Sequence, residues 1–127
     1  MTRTDLMIDL VQRQLDAYNQ RDLDAWLKTY APDAQQFEYP NKLLAQGHAE
    51  IRARTAPRFQ EPDLHAQLLR REVIGHQVID EEQVTRNFSE GLGTIDMTCI
   101  YDIAKGRIQK ATFVMGDKVI FSNDGEA

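Results

Sequence analysis

The chain has 127 residues, with 20 Asp+Glu against 15 Lys+Arg for a net charge of -5. That length suits one domain with its own core and leaves no room for a second, and the acidic balance argues against a binder of phosphate backbones. Composition is ordinary for a globular protein, at 42% hydrophobic and 28% charged. The single cysteine excludes an internal disulfide framework and a thiolate zinc cluster. No apolar stretch approaches the roughly 20 residues of a membrane span. The opening MTRTDLMIDL carries acids and no apolar run, so no signal peptide is expected and the reading is cytoplasmic.

Met7, Val11, Leu15 and Tyr18 fall at helical spacing between polar residues, which predicts an amphipathic helix from about Asp5 to Asn19. Asp22 is a plausible N-cap for a second helix. Leu23, Trp26, Leu27 and Tyr30 form its apolar face, and Pro32 should end it. Ala34 to Tyr39, followed by Pro40, predicts an edge or terminal strand, with Leu43-Leu44-Ala45 as a short return strand. Ala49 to Gln60 predicts a third helix on Ile51, Thr55 and Phe59, kinked or cut short by Pro57. Its arginines at 52, 54 and 58 read as a solvated face. Four long strands follow, at Leu64–Ile74, Val78–Phe88, Thr94–Ala104 and Arg107–Met115, joined by short turns and therefore antiparallel. Helices first and a meander afterwards make an α+β layout.

This order resembles the nuclear transport factor 2-like superfamily, in its SnoaL-like and ketosteroid-isomerase-like branch. The likeness is carried by YNQRDLDAWLKTYAPDAQQFEYP at 18–40, QGHAEIRAR at 46–54 and IYDIAKGRIQKATF at 100–113. The resemblance implies a conical cup of three N-terminal helices packed on a curved, mainly antiparallel sheet. It also implies one domain over 1–127, with its core at about 5–116 and a tail at 117–127, a pocket between sheet and helices, and commonly a dimer formed through the sheets. It implies no single chemistry, because the superfold hosts isomerases, cyclases, dehydratases and non-catalytic binders.

Ketosteroid isomerases build an oxyanion hole from a tyrosine on the first helix and an acid on a late strand. By the resemblance those positions fall here at Gln14 and Cys99, and the late-strand aromatic falls at Met115. The general-base position falls at Glu38 or Tyr39. A neutral hydroxyl-and-acid pair stabilises the dienolate in that mechanism, so steroid isomerisation of the familiar type is not expected.

Fold logic and resemblance together nominate Gln14, Tyr18, Trp26, Tyr30, Phe37, Tyr39, Met97, Cys99, Tyr101, Phe113 and Met115 as pocket-lining residues. They suit a small hydrophobic or aromatic organic ligand, or else fill a core. Three carboxylates are candidate bases: Glu38, Asp80 and Glu82. Strand alternation sets Phe37 and Tyr39 against Glu38, so both sets cannot face inward. Asp80 and Glu82 share a face with Val78 and Val84. Desolvation there would raise a carboxyl toward neutrality, whereas an ion pair with Arg71 would make it structural. Pairing is expected, with Glu82 the partner because it lies nearer the strand centre.

His48, His65 and His76 are scattered, so no metal is expected, and no cofactor motif is present. The reading is a small-molecule-binding protein. The alternatives are an isomerase, cyclase or lyase moving a proton next to a carbonyl, and a non-catalytic dimerisation module. A homodimer is expected, since a sheet covered on one face leaves Ile100 and Val114 on the other. A clean monomer by light scattering at roughly tens of micromolar would count against it.

Overall fold

The structure, a computed structural model, describes residues 1–121. Helix α1 (Arg3–Gln20) begins at a capping box in which Thr2 and Asp5 satisfy each other's backbone N–H, and ends at Arg21 in the left-handed conformation. Asp22 then caps α2 (Leu23–Lys28) through the Ala25 N–H, as its sequence position predicts. The first helix therefore runs about two residues further at its N-terminus than its apolar pattern. Met7, Leu10, Val11 and Leu15 are its buried stripe.

The second helix is shorter than predicted. The Thr29 hydroxyl donates to the Trp26 carbonyl at 2.6 Å and closes the helix. Tyr30 then opens strand β1 (Tyr30–Glu38). Tyr30 fits helical spacing only because a helix face and a strand face both aim it at the core, where it is fully buried. Pro32 and Asp33 are exposed on this strand, where the pairing register breaks between Tyr30 and Gln35. Nor is β1 an edge strand. Strand β2 (Lys42–Gln46) pairs with it antiparallel on one side, and the last strand pairs with it in parallel on the other.

Helix α3 (Gly47–Thr55) stops before Pro57, and Arg58–Gln60 continue as one 3-10 turn, so the proline produces the early end rather than a kink. Strands β3 (His65–Ile74), β4 (Gln77–Phe88), β5 (Gly91–Ala104) and β6 (Arg107–Ile120) complete a six-stranded sheet in the order β2-β1-β6-β5-β4-β3. The segment predicted as a tail at 117–127 is strand as far as Ile120, and 122–127 lie outside the described residues. Register shifts within four of the five strand pairs bend this sheet. The helices cover its concave face, which gives an α+β cup.

Two polar clamps hold α1 against the open edge at β3. The Asn19 side-chain amide donates to the Ala66 carbonyl at 2.9 Å and accepts from its N–H at 2.8 Å, pairing edge-strand groups that would otherwise be unpaired. The Arg21 guanidinium donates to the carbonyls of Glu61, Pro62 and Leu64. Between helices and sheet, Trp26 packs on Tyr30 and Phe59, with ring centroids 4.8 and 5.7 Å apart. On the convex face the register lines up Ile79, Ile100, Thr112 and Phe37 across four strands. Among the described residues no helix is long and apolar enough to cross a membrane.

Candidate functional site

The mouth of the cup opens onto a cavity of about 70 Å³ between α1, α2, α3 and the sheet. That is several times the ~10–15 Å³ needed to hold one water. Its apolar wall comes from Leu15, Leu44, Val84, Met97, Phe113 and Met115. Its wall is more polar than that of the apolar cavity expected from sequence. Gln14, Gln36, Glu38, Arg54, Thr55, Arg58 and Glu82 all reach it, as do the side chains of Tyr18, Trp26, Tyr30, Cys99 and Tyr101.

Two carboxylates two residues apart on β4 have opposite surroundings. Asp80 is fully buried and held by a two-pronged pair with Arg71, Nε to Oδ1 at 2.7 Å and Nη2 to Oδ2 at 2.9 Å. The third arm of Arg71 donates to Gln12 Oε1 at 2.9 Å. Glu82 is 5% exposed, faces the cavity and has no cation within ion-pair distance among the described residues. Its contact is the Cys99 thiol, with Sγ 3.8 Å from Oε1. Burial pushes the Glu82 carboxyl up to about 7, and the neighbouring Asp80 charge adds to the rise. The thiol contact and the more distant Arg71 pull weakly the other way.

The expected partner of Arg71 was Glu82; the partner is Asp80. A bulge explains the exchange. Leu68 pairs with Glu82, yet Arg70 already pairs with Glu81, so Leu69 is an extra residue on β3 and bulges outward, exposed. This switches the inward-facing parity of β3 from Ala66 and Leu68 to Arg71 and Val73. Arg71 therefore lands directly opposite Asp80, and Glu82 is left facing Leu68 on one side and Met97 on the other.

Glu38, the other candidate base, lines the cavity, and the alternation places Gln36 beside it. Phe37 and Tyr39 do not line it. The Phe37 ring turns to the convex side, where Lys110 Nζ lies 4.9 Å from its centroid, and Tyr39 is 60% exposed. These two aromatics were expected in the pocket and stand outside it because Gln36 and Glu38 take the inward parity. The other nine nominated residues, from Gln14 to Met115, all reach the cavity.

Sequence reasoning missed Leu15, Gln36, Leu44, Arg54, Thr55, Arg58 and Val84 as lining residues. Arg54 and Arg58 contradict the solvated-face reading. Pro57 ends the helix, and the 3-10 turn that follows aims Arg58 at the Tyr18 hydroxyl. Arg52 alone of the three fits that reading, paired with Asp24 at the surface. The proline was the available signal, since the arginine beyond a broken helix need not share the helix's outer face.

Burial raises the hydroxyls of Tyr30 and Tyr101 above the usual tyrosine range, so both stay protonated donors. Burial likewise pushes the Cys99 thiol up, with the Glu82 charge adding to it, which makes this an inert thiol rather than a nucleophile. Two buried polar atoms in the same wall have no hydrogen-bond partner among the described residues: Gln14 Oε1 and Trp26 Nε1. Among the described residues no group of three or more His, Cys, Asp or Glu is placed to hold a metal ion.

The SnoaL-like domain family matches residues 11–111, from within α1 to the first residues of β6. The chain belongs to this SnoaL-like family. No curated protein gives a match. Among solved structures, this SnoaL-like chain is similar to a cystatin-fold protein from Novosphingobium aromaticivorans, at 22% identity and a TM-score of 0.78, over 84% of this chain and 96% of that one. It is similar to a protein from Jannaschia named provisionally a SnoaL-like polyketide cyclase, at 18% identity and a TM-score of 0.75, over 87% and 85%. A third, from Sinorhizobium meliloti and named provisionally a polyketide cyclase, is 28% identical with a TM-score of 0.67, over 83% and 93%. The nuclear transport factor 2-like cup expected from the sequence is thus the fold of this SnoaL-like chain.

Proposed function

We propose that the cup binds a small carbonyl compound and that Glu82 moves a proton at the carbon next to the carbonyl, as an isomerase, cyclase or lyase would. The observation that carries this reading is a carboxyl that is buried, faces the cavity and lacks a cation. A base poised near 7 is half ionised at neutral pH, the condition under which a carboxylate both takes and returns protons efficiently. The ionised Glu82 takes the proton, the C–H electron pair becomes a carbon–carbon double bond, the carbonyl π pair moves onto oxygen, and an enolate results. The Trp26 indole N–H has no partner among the described residues, and the Tyr30 and Tyr101 hydroxyls stay protonated, so the same wall holds donors for the negative oxygen. Asp80 serves as scaffold, because its charge is already matched by Arg71.

The provisional name of the Sinorhizobium meliloti relative, polyketide cyclase, supports the same class, since ring closure by carbon–carbon bond formation next to a carbonyl starts with removal of such a proton. A purely binding cup would need no acid in its wall. The direct test incubates the protein with small 1,3-dicarbonyl compounds in heavy water and follows loss of the α-proton signal by NMR. Exchange faster than buffer and lost in Glu82→Gln is expected; exchange that Glu82→Gln leaves untouched contradicts the reading. A 5-ene-3-ketosteroid should not be isomerised, because Gln14 and Cys99 stand at the cavity where that reaction needs a hydroxyl and an acid. Efficient steroid turnover, measured by the absorbance of the conjugated product, would contradict it.

A further inference from the structure

The cavity wall carries two guanidiniums that no carboxylate among the described residues approaches closer than 3.8 Å. Arg54, near the end of α3, is half-buried and makes no ion pair among the described residues; its Nη1 donates to the neutral Gln36 Oε1 at 3.1 Å. Its Cζ lies 5.8 Å from the centroid of the Phe113 ring, the opposite wall of the cavity. Arg58, one turn further on, points at the Tyr18 hydroxyl and has one carboxylate in reach among the described residues, Glu61 Oε2 at a long 3.8 Å. That carboxylate is already engaged by Arg86 at 2.6 and 3.2 Å and by the Asn87 N–H at 2.9 Å.

In a chain with net charge -5, cations on a surface readily find carboxylates, as Arg52, Arg70 and Arg86 do here. Arg54 and Arg58 instead converge on one cavity, close enough that burial and the Arg58 charge together pull the Arg54 guanidinium below its ordinary range. Two like charges held together in a partly desolvated wall are unfavourable unless an anion joins them. The carboxylate that acts on Arg54 is Glu38, which lines the same cavity but forms an ion pair with neither guanidinium.

We propose that the cup's ligand is an organic acid, with a carboxylate clamped by Arg54 and Arg58 and an apolar or aromatic body lying along Phe113 and Met97 toward Glu82. Guanidinium forks suit a planar carboxylate bidentately. The Gln14 Oε1 and Trp26 Nε1 atoms, each on a residue under a twentieth exposed and without a partner, add an acceptor and a donor in the same wall for a polar group on the body. The proposal rests on the cavity being the substrate site, and it narrows the carbonyl compound to one that bears an acid group away from the reacting carbon.

Trp26 is the only tryptophan and sits in the wall, so its fluorescence reports occupancy. The probes are matched pairs of carboxylate and carboxamide: phenylacetate with phenylacetamide, 4-phenylbutyrate with its amide, and hexanoate with hexanamide. The carboxylate should bind at least about tenfold tighter in one or more pairs, the worth of one charge-assisted hydrogen bond or more. Arg54→Gln and Arg58→Gln should each reduce that preference, while Arg52→Gln, whose partner is at the surface, should not. Retained carboxamide binding in the variants shows that they are folded. Equal affinities within every pair, no binding by any pair up to about 10 mM, or a preference that survives both substitutions overturns the proposal. Proton exchange on neutral dicarbonyls would still stand in that event. Conversely, a carboxylate preference without Glu82-dependent exchange removes the catalytic reading and leaves the anion clamp.

Discussion

Glu82→Gln should slow α-proton exchange by roughly 10²–10⁴-fold and, above neutrality, make the fold more stable than the parent. The second effect follows from the direction of the Glu82 shift. Folding raises this carboxyl from its ordinary value to about 7, so between those two limits the unfolded chain has released the proton that the folded chain still holds. Stability therefore falls as pH rises through that window, is fully retained below the unfolded value and levels off above about 7. The loss is roughly 3 kcal/mol. Glutamine fills the same volume without ever ionising, so the variant should match the parent at about pH 4 and exceed it at about pH 8. Urea midpoints at those two values measure it. A variant weaker than the parent at about pH 8 would mean that the Glu82 carboxylate is favourably solvated or paired in the folded protein.

Arg71→Ala should act with the opposite sign. It removes both prongs from the fully buried Asp80 and the donor from Gln12 Oε1, so a charge is left in the core with no partner. Breaking a buried pair from one side costs about 3–5 kcal/mol, which is a large part of the stability of a domain this size. Removing both ends should be far milder: Arg71→Met with Asp80→Leu leaves nothing uncompensated except Gln12, which can turn to water. The difference between single and double variants in urea midpoint measures how much of the cost is the orphaned charge. A second consequence reaches the site. Arg71 is a cation within electrostatic range of Glu82 and lowers it, while Asp80 raises it, so Arg71→Ala should push the Glu82 carboxyl higher still. Equal losses in the single and double variants would show that the pair contributes packing rather than charge balance.

The helix-then-strand order was legible because each element writes its period plainly. Ile95, Met97, Cys99, Tyr101 and Ile103 alternate along β5, and Asp22 stands where a cap belongs. The cup and the SnoaL-like family followed from that order and its signature segments. What escaped were the places where the backbone changes parity. The extra residue at Leu69 decided which acid Arg71 neutralises, and no hydrophobic pattern marks it, since Leu68 and Leu69 are equally apolar. Tyr30 fitted both helix and strand because spacing alone cannot tell which backbone delivers a side chain to the core. Arg54 and Arg58 look like surface charges until the break at Pro57 is placed in three dimensions. Local pattern therefore gave the scaffold, whereas the electrostatics of the site came from a bulge and a helix stop.

The account depends most on the contrast between two acids on one strand face, one matched by an arginine and one left alone above a cavity. Side-chain carboxyl carbons of glutamate, labelled with carbon-13, can be followed by NMR across the acid-to-neutral range. Glu82 should titrate with a midpoint near 7, and Glu82→Gln should delete that resonance and no other. A Glu82 midpoint at the ordinary glutamate value of about 4.3 would show a solvated or paired carboxylate, and with it the base at the centre of the cup would be lost.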